Sequence, residues 1–287
     1  MQCLSYWGCR PAAYPPPGLT LRRCRDEEAQ VFTGARSRFV ELNDRGGQAI
    51  GAWVTSADSS TTAIFGEIGY DFVIIDGEHG ALGVRDILLH IRAAQATGIT
   101  AIVRVLKGDP TQIQKVVDLG ADGVLVPKIE SAEQAAACYA ATQYRPGGRG
   151  FCPMVPAAGW TGENWNEHAS RSNSEIIFIP LIETIAGVEN FEAIAAVDGV
   201  DFAFFGLGDL AQDMGSDMYA ARDQLVAMWD ECHAKAERHN VRLGAPGGVE
   251  LGFKETAFTT IGGDLNFVRA GGARRLAEFR SLVSLSA

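Results

Sequence analysis

Short apolar runs alternate with segments of helical periodicity along the chain from Gly47 onward. Each run is rich in β-branched residues and is bounded by turn-forming residues, which is typical of a buried strand. Eight runs predict strands: AIGAWVT (49–55), FVIID (72–76), TAIVRV (100–105), GVLVP (123–127), IIFIPLIE (176–183), VDFAFFG (200–206), VRLGAP (241–246) and LNFVRA (265–270). Near-continuous apolar strands of this kind indicate a parallel sheet that is covered on both faces.

The segments between these runs predict helices. In the second of them, Val84, Ile87, Leu88 and Ile91 recur at helical spacing and would face the sheet. The predicted helices lie at about 58–68, 83–97, 109–119, 131–142, 187–196, 219–239, 249–257 and 272–284. Eight strand–helix units in roughly 240 residues predict an α/β fold, a (β/α)8 TIM barrel. A doubly wound open sheet is the alternative, although no GxGxxG motif follows the first strand to support a dinucleotide site.

Two segments depart from this alternation. Residues 1–46 contain a proline cluster and no sustained period, so we predict an irregular N-terminal extension there and a barrel over 47–287. The stretch EEAQVFTGARSRFVELN within the extension is compatible with a short helix. Residues 143–175, rich in Gly, Pro and Trp, predict a long loop after the fourth strand, and loops of this length are usually functional or disordered.

Composition narrows the class of protein. The net charge of −10 argues against a nucleic-acid partner, since phosphate binding requires a basic surface. No apolar stretch approaches the roughly 18 residues of a membrane span. The six cysteines show no CxxC spacing, so we expect free thiols and a cytoplasmic location.

Charged residues follow several of the predicted strands. In a parallel barrel all the strand C-termini lie on one face, where the active sites of this fold are built. The strand ends contribute Asp76, Glu78, His79, Arg104, Glu183 and Asp209. Because four strands agree, we interpret the group as catalytic.

Glu183 and Asp209 are hard oxygen donors, which suits Mg²⁺ or Mn²⁺. His79, three residues after Asp76, resembles a general base with an orienting carboxylate. The Arg104 guanidinium is able to donate bidentate hydrogen bonds to a substrate carboxylate. Together these groups favour a 2-keto acid whose enolate is stabilised by a metal and Arg104.

Structural interpretations compete with this one. Asp76 alone is compatible with the N-cap of the following helix, and Arg104 with Glu183 is compatible with a structural salt bridge. Lys128, after the fourth strand, is an alternative Schiff-base lysine. No nearby base marks Cys152 as a nucleophile. The other histidines are expected on the surface or in loops: His90, His168, His233 and His239.

Long ordered motifs carry a family resemblance. They are YDFVIIDGEHG, IVRV, VVDLGADGVLVPKIESAEQA, YRPGGRG, IPLIETIAGVENFEAIAAVDGVD and FGLGDLAQDMG. Over about residues 47 to 270 the sequence resembles the HpcH/HpaI aldolases, the metal-dependent class II pyruvate aldolases. The resemblance implies a barrel of the phosphoenolpyruvate/pyruvate-binding type that cleaves 4-hydroxy-2-keto acids to pyruvate and an aldehyde. It also implies a homohexamer, a trimer of dimers that exchange their last helix.

The resemblance also implies residue roles. Glu183 and Asp209 resemble the ligands of Mg²⁺ or Mn²⁺, with Co²⁺ or Zn²⁺ as alternatives. His79 resembles the base, acting through a metal-bound water with Asp76 as its partner. Arg104 resembles the residue that holds the pyruvate carboxylate, which the backbone amides of Gly208 and Asp209 would also meet. The role of Glu78 stays open: it could cap the following helix, orient a metal-bound water or reach across a subunit interface.

Three departures from the family pattern lie near the substrate. Leu181 replaces a glutamine that touches the substrate in many members, GLGDLA replaces the common GPADLS, and the loop GFCPMVPAAGW is uncommon. These differences leave the aldehyde partner undetermined. An oxaloacetate decarboxylase of the macrophomate synthase type is one alternative, and PLIET also resembles the CoA-thioester lyases of the citrate lyase β-subunit type. A barrel that has lost catalysis is a third, which the full set of charged residues disfavours.

Overall fold

Eight parallel strands close into a barrel in the computed structural model, which describes residues 37–284. The predicted (β/α)8 TIM barrel is therefore confirmed. The strands are β1 (Ala49–Val54), β2 (Phe72–Asp76), β3 (Thr100–Arg104), β4 (Gly123–Val126), β5 (Ile177–Ile182), β6 (Phe202–Phe205), β7 (Arg242–Pro246) and β8 (Phe258–Gly263). Consecutive strands are neighbours, and β8 pairs with β1 to close the ring.

Helices on the outside cover the barrel. They are α1 (Arg38–Asp44), α2 (Ser60–Ile68), α3 (Val84–Thr97), α4 (Pro110–Asp118), α5 (Ala132–Thr142), α6 (Trp165–Glu175), α7 (Ile185–Glu189), α8 (Phe191–Ala195), α9 (Leu207–Asp213), α10 (Arg222–Arg238) and α11 (Asp264–Ser284). The strands β2 to β6 are buried along their whole length, because their outward side chains meet helices and their inward side chains fill the barrel. No helix among residues 37–284 is long and apolar enough to cross a membrane.

Helix α1 closes the N-terminal end of the barrel. Phe39 is fully buried, and its ring packs 4.9 Å from the rings of both Phe202 and Phe258 and 5.1 Å from that of Phe72. Thr100 accepts a hydrogen bond from the backbone N–H of Phe39. The helix thus completes the core from below, within the stretch that the sequence assigned to the extension. The rest of the predicted extension, residues 1–36, lies outside the described residues.

The last strand was predicted in the wrong place. LNFVRA (265–270) lies within α11, and the eighth strand is the FTTIGG segment of β8. The threonines and glycines of this strand hide it in the sequence, because they break the apolar run. In the structure Phe258 fills the barrel, and the indole N–H of Trp53 donates to the Thr260 hydroxyl. The predicted helix over 249–257 is a short 3₁₀ turn at Gly248–Leu251.

The connection after β4 is more ordered than predicted. It contains a 3₁₀ turn at Pro156–Ala158 and the helix α6. Arg149 organises its start, because its buried guanidinium lies 3.9 Å over the ring of Tyr144 and donates to Asp118 at 2.8 Å. The predicted helix over 187–196 is divided into α7 and α8, and the short α9 follows β6.

Candidate active site

Asp76 and Arg104 form an ion pair at the C-terminal ends of β2 and β3. They are register partners in the sheet. Arg104 donates from Nε to Asp76 Oδ1 at 2.9 Å and from Nη2 to Oδ2 at 2.6 Å. Only 3% of Asp76 and 8% of Arg104 is exposed. The two-point contact fixes the guanidinium in one orientation at the mouth of the barrel.

The electrostatics of Asp76 favour its ionised form. Burial alone would raise the pKa of this carboxyl, but the hydrogen bonds and charge of Arg104 lower it. The backbone N–H groups of Glu78 and His79 also donate to Oδ1, at 3.1 and 3.0 Å, and lower the pKa further. Asp76 therefore stays a carboxylate, and the pKa of this group lies below its usual value.

The structure corrects the predicted pairing of Asp76 with the His79 ring. The turn after β2 directs the backbone N–H of His79, not its imidazole, to the Asp76 carboxylate. The imidazole is 65% exposed, and its Nε2 lies 4.0 Å from Glu78 Oε2. Asp76 is also not the N-cap of the following helix, because α3 begins at Val84 with Gly83 as its N-cap.

Glu78 is the second carboxylate partner of Arg104. Its Oε2 lies 3.3 Å from Arg104 Nη1, so the guanidinium lies between two carboxylates. Trp53 from β1 closes the other side, with the guanidinium carbon 4.6 Å from the centre of the indole ring. These contacts make Glu78 an ion-pair partner of Arg104, whereas the sequence left the role of Glu78 open. Arg104 forms ion pairs with Asp76 and Glu78 within residues 37–284, so the alternative of a structural Arg104–Glu183 bridge is not supported.

Glu183 and Asp209 form the second half of the site. Glu183 follows β5 and is 3% exposed, whereas Asp209 lies in the first turn of α9 after β6. Lys128, which follows β4, contacts both residues. Its backbone N–H donates to Glu183 Oε1 at 3.0 Å, and its Nζ lies 3.4 Å from Asp209 Oδ1.

The charge balance around Glu183 indicates a cation site. Burial raises the pKa of the Glu183 carboxyl to about 7, and the neighbouring carboxylates of Asp209 and Glu78 raise it as well. Gly206 leaves the space that this carboxylate occupies, because a Cβ at Gly206 would lie 2.7 Å from Glu183 Cβ and 3.0 Å from Oε2. Two adjacent carboxylates, one of them buried, are the donor set that a hard divalent cation prefers. The residues present therefore fit Mg²⁺ or Mn²⁺.

The remaining predicted residues differ in burial and in distance from the charged groups of the site. Leu181 points into the barrel core with Phe204 and is 2% exposed, so this position is filled by a buried apolar side chain. Gly208 lies in the first turn of α9 beside Asp209. Cys152 is exposed in the connection after β4.

His90 was wrongly expected at the surface. It is fully buried on α3, where its Nε2 meets the Ser56 carbonyl at 3.0 Å and its Nδ1 meets the Thr62 hydroxyl at 2.8 Å. Its role is structural.

Trp53 is a site residue that was not predicted from the sequence. The signal was available, since an aromatic side chain ends the first strand on the face that carries the charged residues.

Comparison with known proteins identifies the family of the chain. The sequence profile of the HpcH/HpaI aldolase/citrate lyase family matches residues 49–251. A 2-dehydro-3,6-dideoxy-6-sulfogluconate aldolase from Pseudomonas putida is 35% identical over 70% of this chain and 78% of its own length. A 4-hydroxy-2-oxovalerate aldolase from Novosphingobium aromaticivorans is 37% identical over 70% and 74%. A 5-keto-4-deoxy-D-glucarate aldolase from Salmonella arizonae is 32% identical over 80% and 91%.

Solved structures give the same assignment. An HpcH/HpaI aldolase/citrate lyase family protein from Burkholderia cenocepacia J2315 superposes with a TM-score of 0.77 at 26% identity, over 86% of this chain and all of that one. Macrophomate synthase superposes with a TM-score of 0.75 at 25% identity, over 87% and 90%. The family predicted from the sequence motifs is thus confirmed, and the chain belongs to the HpcH/HpaI aldolase/citrate lyase family of carbon–carbon lyases.

Proposed function

We propose that the protein is a class II aldolase that interconverts a 4-hydroxy-2-keto acid with pyruvate and an aldehyde and depends on Mg²⁺ or Mn²⁺. The observation that carries this proposal is the buried Glu183 beside Asp209, opposite the fixed Arg104. The curated relatives that the chain matches at more than 30% identity are named as aldolases, which supports the same reaction.

Glu183 and Asp209 would hold the metal. The chemistry that a bound divalent cation supplies is Lewis-acid stabilisation of the negative charge on the keto acid as its enolate forms. Gly206 keeps the space for the Glu183 carboxylate, and the backbone N–H of Lys128 orients it. The two ligands come from neighbouring strands, so the barrel fixes their separation.

Arg104 would hold the keto acid and stabilise the developing enolate charge. Asp76 and Glu78 prevent the guanidinium from changing rotamer, and Trp53 covers its face. A donor that is fixed before the reaction stabilises charge better than one that must reorganise. Asp76 is therefore a positioning residue for Arg104.

His79 would move the proton. Its imidazole is 65% exposed, so the aldehyde half of the substrate would be able to reach it from solvent. In cleavage, a base removes the proton of the 4-hydroxyl group, the C3–C4 bond breaks, and its electron pair enters the keto acid half as an enolate. Protonation at C3 then gives pyruvate. Glu78 is the carboxylate placed to pair with the protonated ring.

A decarboxylase is the second candidate, because macrophomate synthase has the same fold at a TM-score of 0.75. Loss of CO₂ from oxaloacetate leaves the same pyruvate enolate, so both reactions use the same charge stabilisation. Leu181 and the connection after β4 are the candidates that we propose for setting the aldehyde partner and the balance between the two reactions.

The direct test is pyruvate release from 4-hydroxy-2-keto acids, followed with lactate dehydrogenase and NADH. EDTA abolishes the activity and Mg²⁺ or Mn²⁺ restores it if the proposal is correct. Oxaloacetate assayed in parallel identifies the faster reaction. Activity that survives the chelator, combined with covalent trapping of pyruvate on Lys128 by borohydride, would establish a Schiff-base aldolase instead.

We also propose a homo-oligomer, of which a hexamer is the predicted form. From Leu265 to Val283 every residue of α11 is exposed in the single chain. The apolar members are Leu265, Phe267, Val268, Leu276, Phe279, Leu282 and Val283. An exposed apolar stripe of this length is typical of a subunit contact. The cytoplasmic location expected from the cysteines stays a prediction.

A further inference from the structure

The donors of Arg104 are largely engaged by carboxylates of the protein itself. Nε and Nη2 bind Asp76, and Nη1 lies 3.3 Å from Glu78. Arg104 therefore carries one positive charge between two negative ones. A keto acid that brings a further carboxylate requires more positive charge than this group supplies.

Lys128 is a second cation near the carboxylates of the site. Its side chain is 49% exposed, so the ammonium is open to a ligand, and its single ion pair is with Asp209. The backbone of Lys128 is left-handed, with φ of 53°. A long side chain rarely adopts this conformation, and such strain concentrates at functional sites. The same turn of the chain directs the N–H to Glu183 and the ammonium to Asp209.

A divalent cation on Glu183 and Asp209 changes the surroundings of this ammonium. A divalent cation held by Glu183 and Asp209 would compete with the ammonium for the Asp209 carboxylate and would repel its like charge. The lysine stem is flexible, with a mobile ammonium at its end. An ammonium released from Asp209 in this way would be a free positive charge at the mouth of the barrel, available to an anionic keto acid.

We propose that Lys128 is a substrate-binding residue whose ammonium leaves Asp209 for the divalent cation and then pairs with the carboxylate of the keto acid. This inference rests on the proposed metal-dependent function and adds a second cation to Arg104. It makes Lys128 a competitor of the metal and a partner of the anion. In this proposal the Lys128 amine forms an ion pair and no covalent bond, which distinguishes it from a Schiff-base lysine.

The test measures ligand binding by calorimetry. The probes are Mn²⁺ alone and oxalate at saturating Mn²⁺, since oxalate is a planar anion that chelates a divalent cation as a 2-keto acid does. The variant is Lys128→Met, which keeps the length of the side chain and removes its charge. The control is Lys107→Met, because Lys107 is also exposed and left-handed, with φ of 48°, on the loop after β3. Both variants change the net charge equally.

We expect Lys128→Met to bind Mn²⁺ at least as tightly as the wild type and to bind oxalate about tenfold more weakly, the loss typical of one charge-assisted contact. Lys128→Arg keeps the charge and restores oxalate binding, and Lys107→Met leaves both affinities unchanged. A merely structural role weakens both ligands together. That result, or unchanged oxalate binding in Lys128→Met, overturns the inference. If the wild type binds no Mn²⁺, the proposed function itself fails.

Discussion

Asp76 and Arg104 face each other in register across β2 and β3, and two hydrogen bonds of 2.9 and 2.6 Å join their side chains. The pair converts a flexible arginine into a fixed donor. It also explains why Asp76 is not bonded to the His79 ring, because both of its oxygens are used on the guanidinium and the backbone of the following turn.

Asp76→Asn tests the importance of this orientation. The amide keeps the size of the side chain but loses the charge, so the guanidinium is freed to pair with Glu78 alone. We expect kcat/KM to fall about a hundredfold, comparable with loss of one preorganised donor, with Mn²⁺ affinity changed little. Asp118→Asn is the matched control, since Asp118 pairs with the buried Arg149 away from the mouth. That control lowers the melting temperature and leaves kcat/KM intact; an equal loss of kcat/KM there would contradict the assignment.

Glu183→Gln tests the cation site. The neutral amide is a poorer ligand for a hard cation, and we expect Mg²⁺ and Mn²⁺ affinity to fall at least about a hundredfold, since breaking a charged contact of a buried group costs several kcal/mol. The metal-free variant should melt at a higher temperature than the metal-free wild type at pH 8, because the raised pKa of Glu183 shows that its buried charge is unfavourable there. Calorimetry and thermal melts with and without EDTA measure both effects. A variant with undiminished metal affinity would remove Glu183 from the ligand set.

Gly206→Ala tests the same site without removing a carboxylate. The added Cβ would lie within 2.7 Å of Glu183 Cβ, closer than side chains pack, so the carboxylate must move. We expect about a tenfold loss of Mn²⁺ affinity, corresponding to roughly 1.4 kcal/mol. In Gly208→Ala, two residues along the chain, the new Cβ meets nothing within 4 Å, and metal affinity should stay at the wild-type value. Equal affinities in the two variants would mean that Gly206 is not required for the ligand geometry.

His90 gives the pH dependence of stability. Burial lowers the pKa of its ring below 6.5, despite opposing effects of the Ser56 carbonyl and nearby carboxylates. At this group the folded state then binds fewer protons than the unfolded state. The contribution of His90 to the free energy of unfolding is therefore fully present above pH 6.5 and is lost as the pH falls toward the lowered pKa. As the pH falls from 7.5 to 5.5, the melting temperature of the wild type should drop relative to that of His90→Gln. Glu183 and Asp122, whose pKa values are raised, act in the opposite direction but equally in both proteins. His239→Gln, at a more exposed position, should keep the wild-type slope; identical slopes in all three would show that His90 does not titrate in this window.

The sequence predicts the barrel because seven of its strands are continuous apolar runs, and this pattern is rare outside buried parallel sheets. It fails at β8, where Thr259 and Thr260 make a buried strand polar, and at 265–270, where apolar residues of an exposed helix imitate a strand. Which residues lie in the site follows from strand ends. Which atoms they contact does not, because the Asp76–Arg104 pair and the left-handed Lys128 depend on register and on single backbone angles.

Helix α11 provides the last prediction. Leu265, Val268, Leu276, Phe279 and Val283 are spaced by one or two helical turns, so they form one stripe along the helix, while Phe267 and Leu282 lie off this stripe. If a second copy of the chain covers this stripe, the double variant Leu276→Asp, Phe279→Asp places two charges in the contact and dissociates the oligomer.

Sedimentation velocity measures this directly, and circular dichroism confirms that the barrel stays folded. Ala270→Asp, on the opposite side of the same helix, is the control and should keep the wild-type assembly. The site residues all come from strands of one barrel, so a folded monomer should still bind Mn²⁺. An assembly that persists in the double variant would show that the subunits associate through another surface and that α11 is covered by something else.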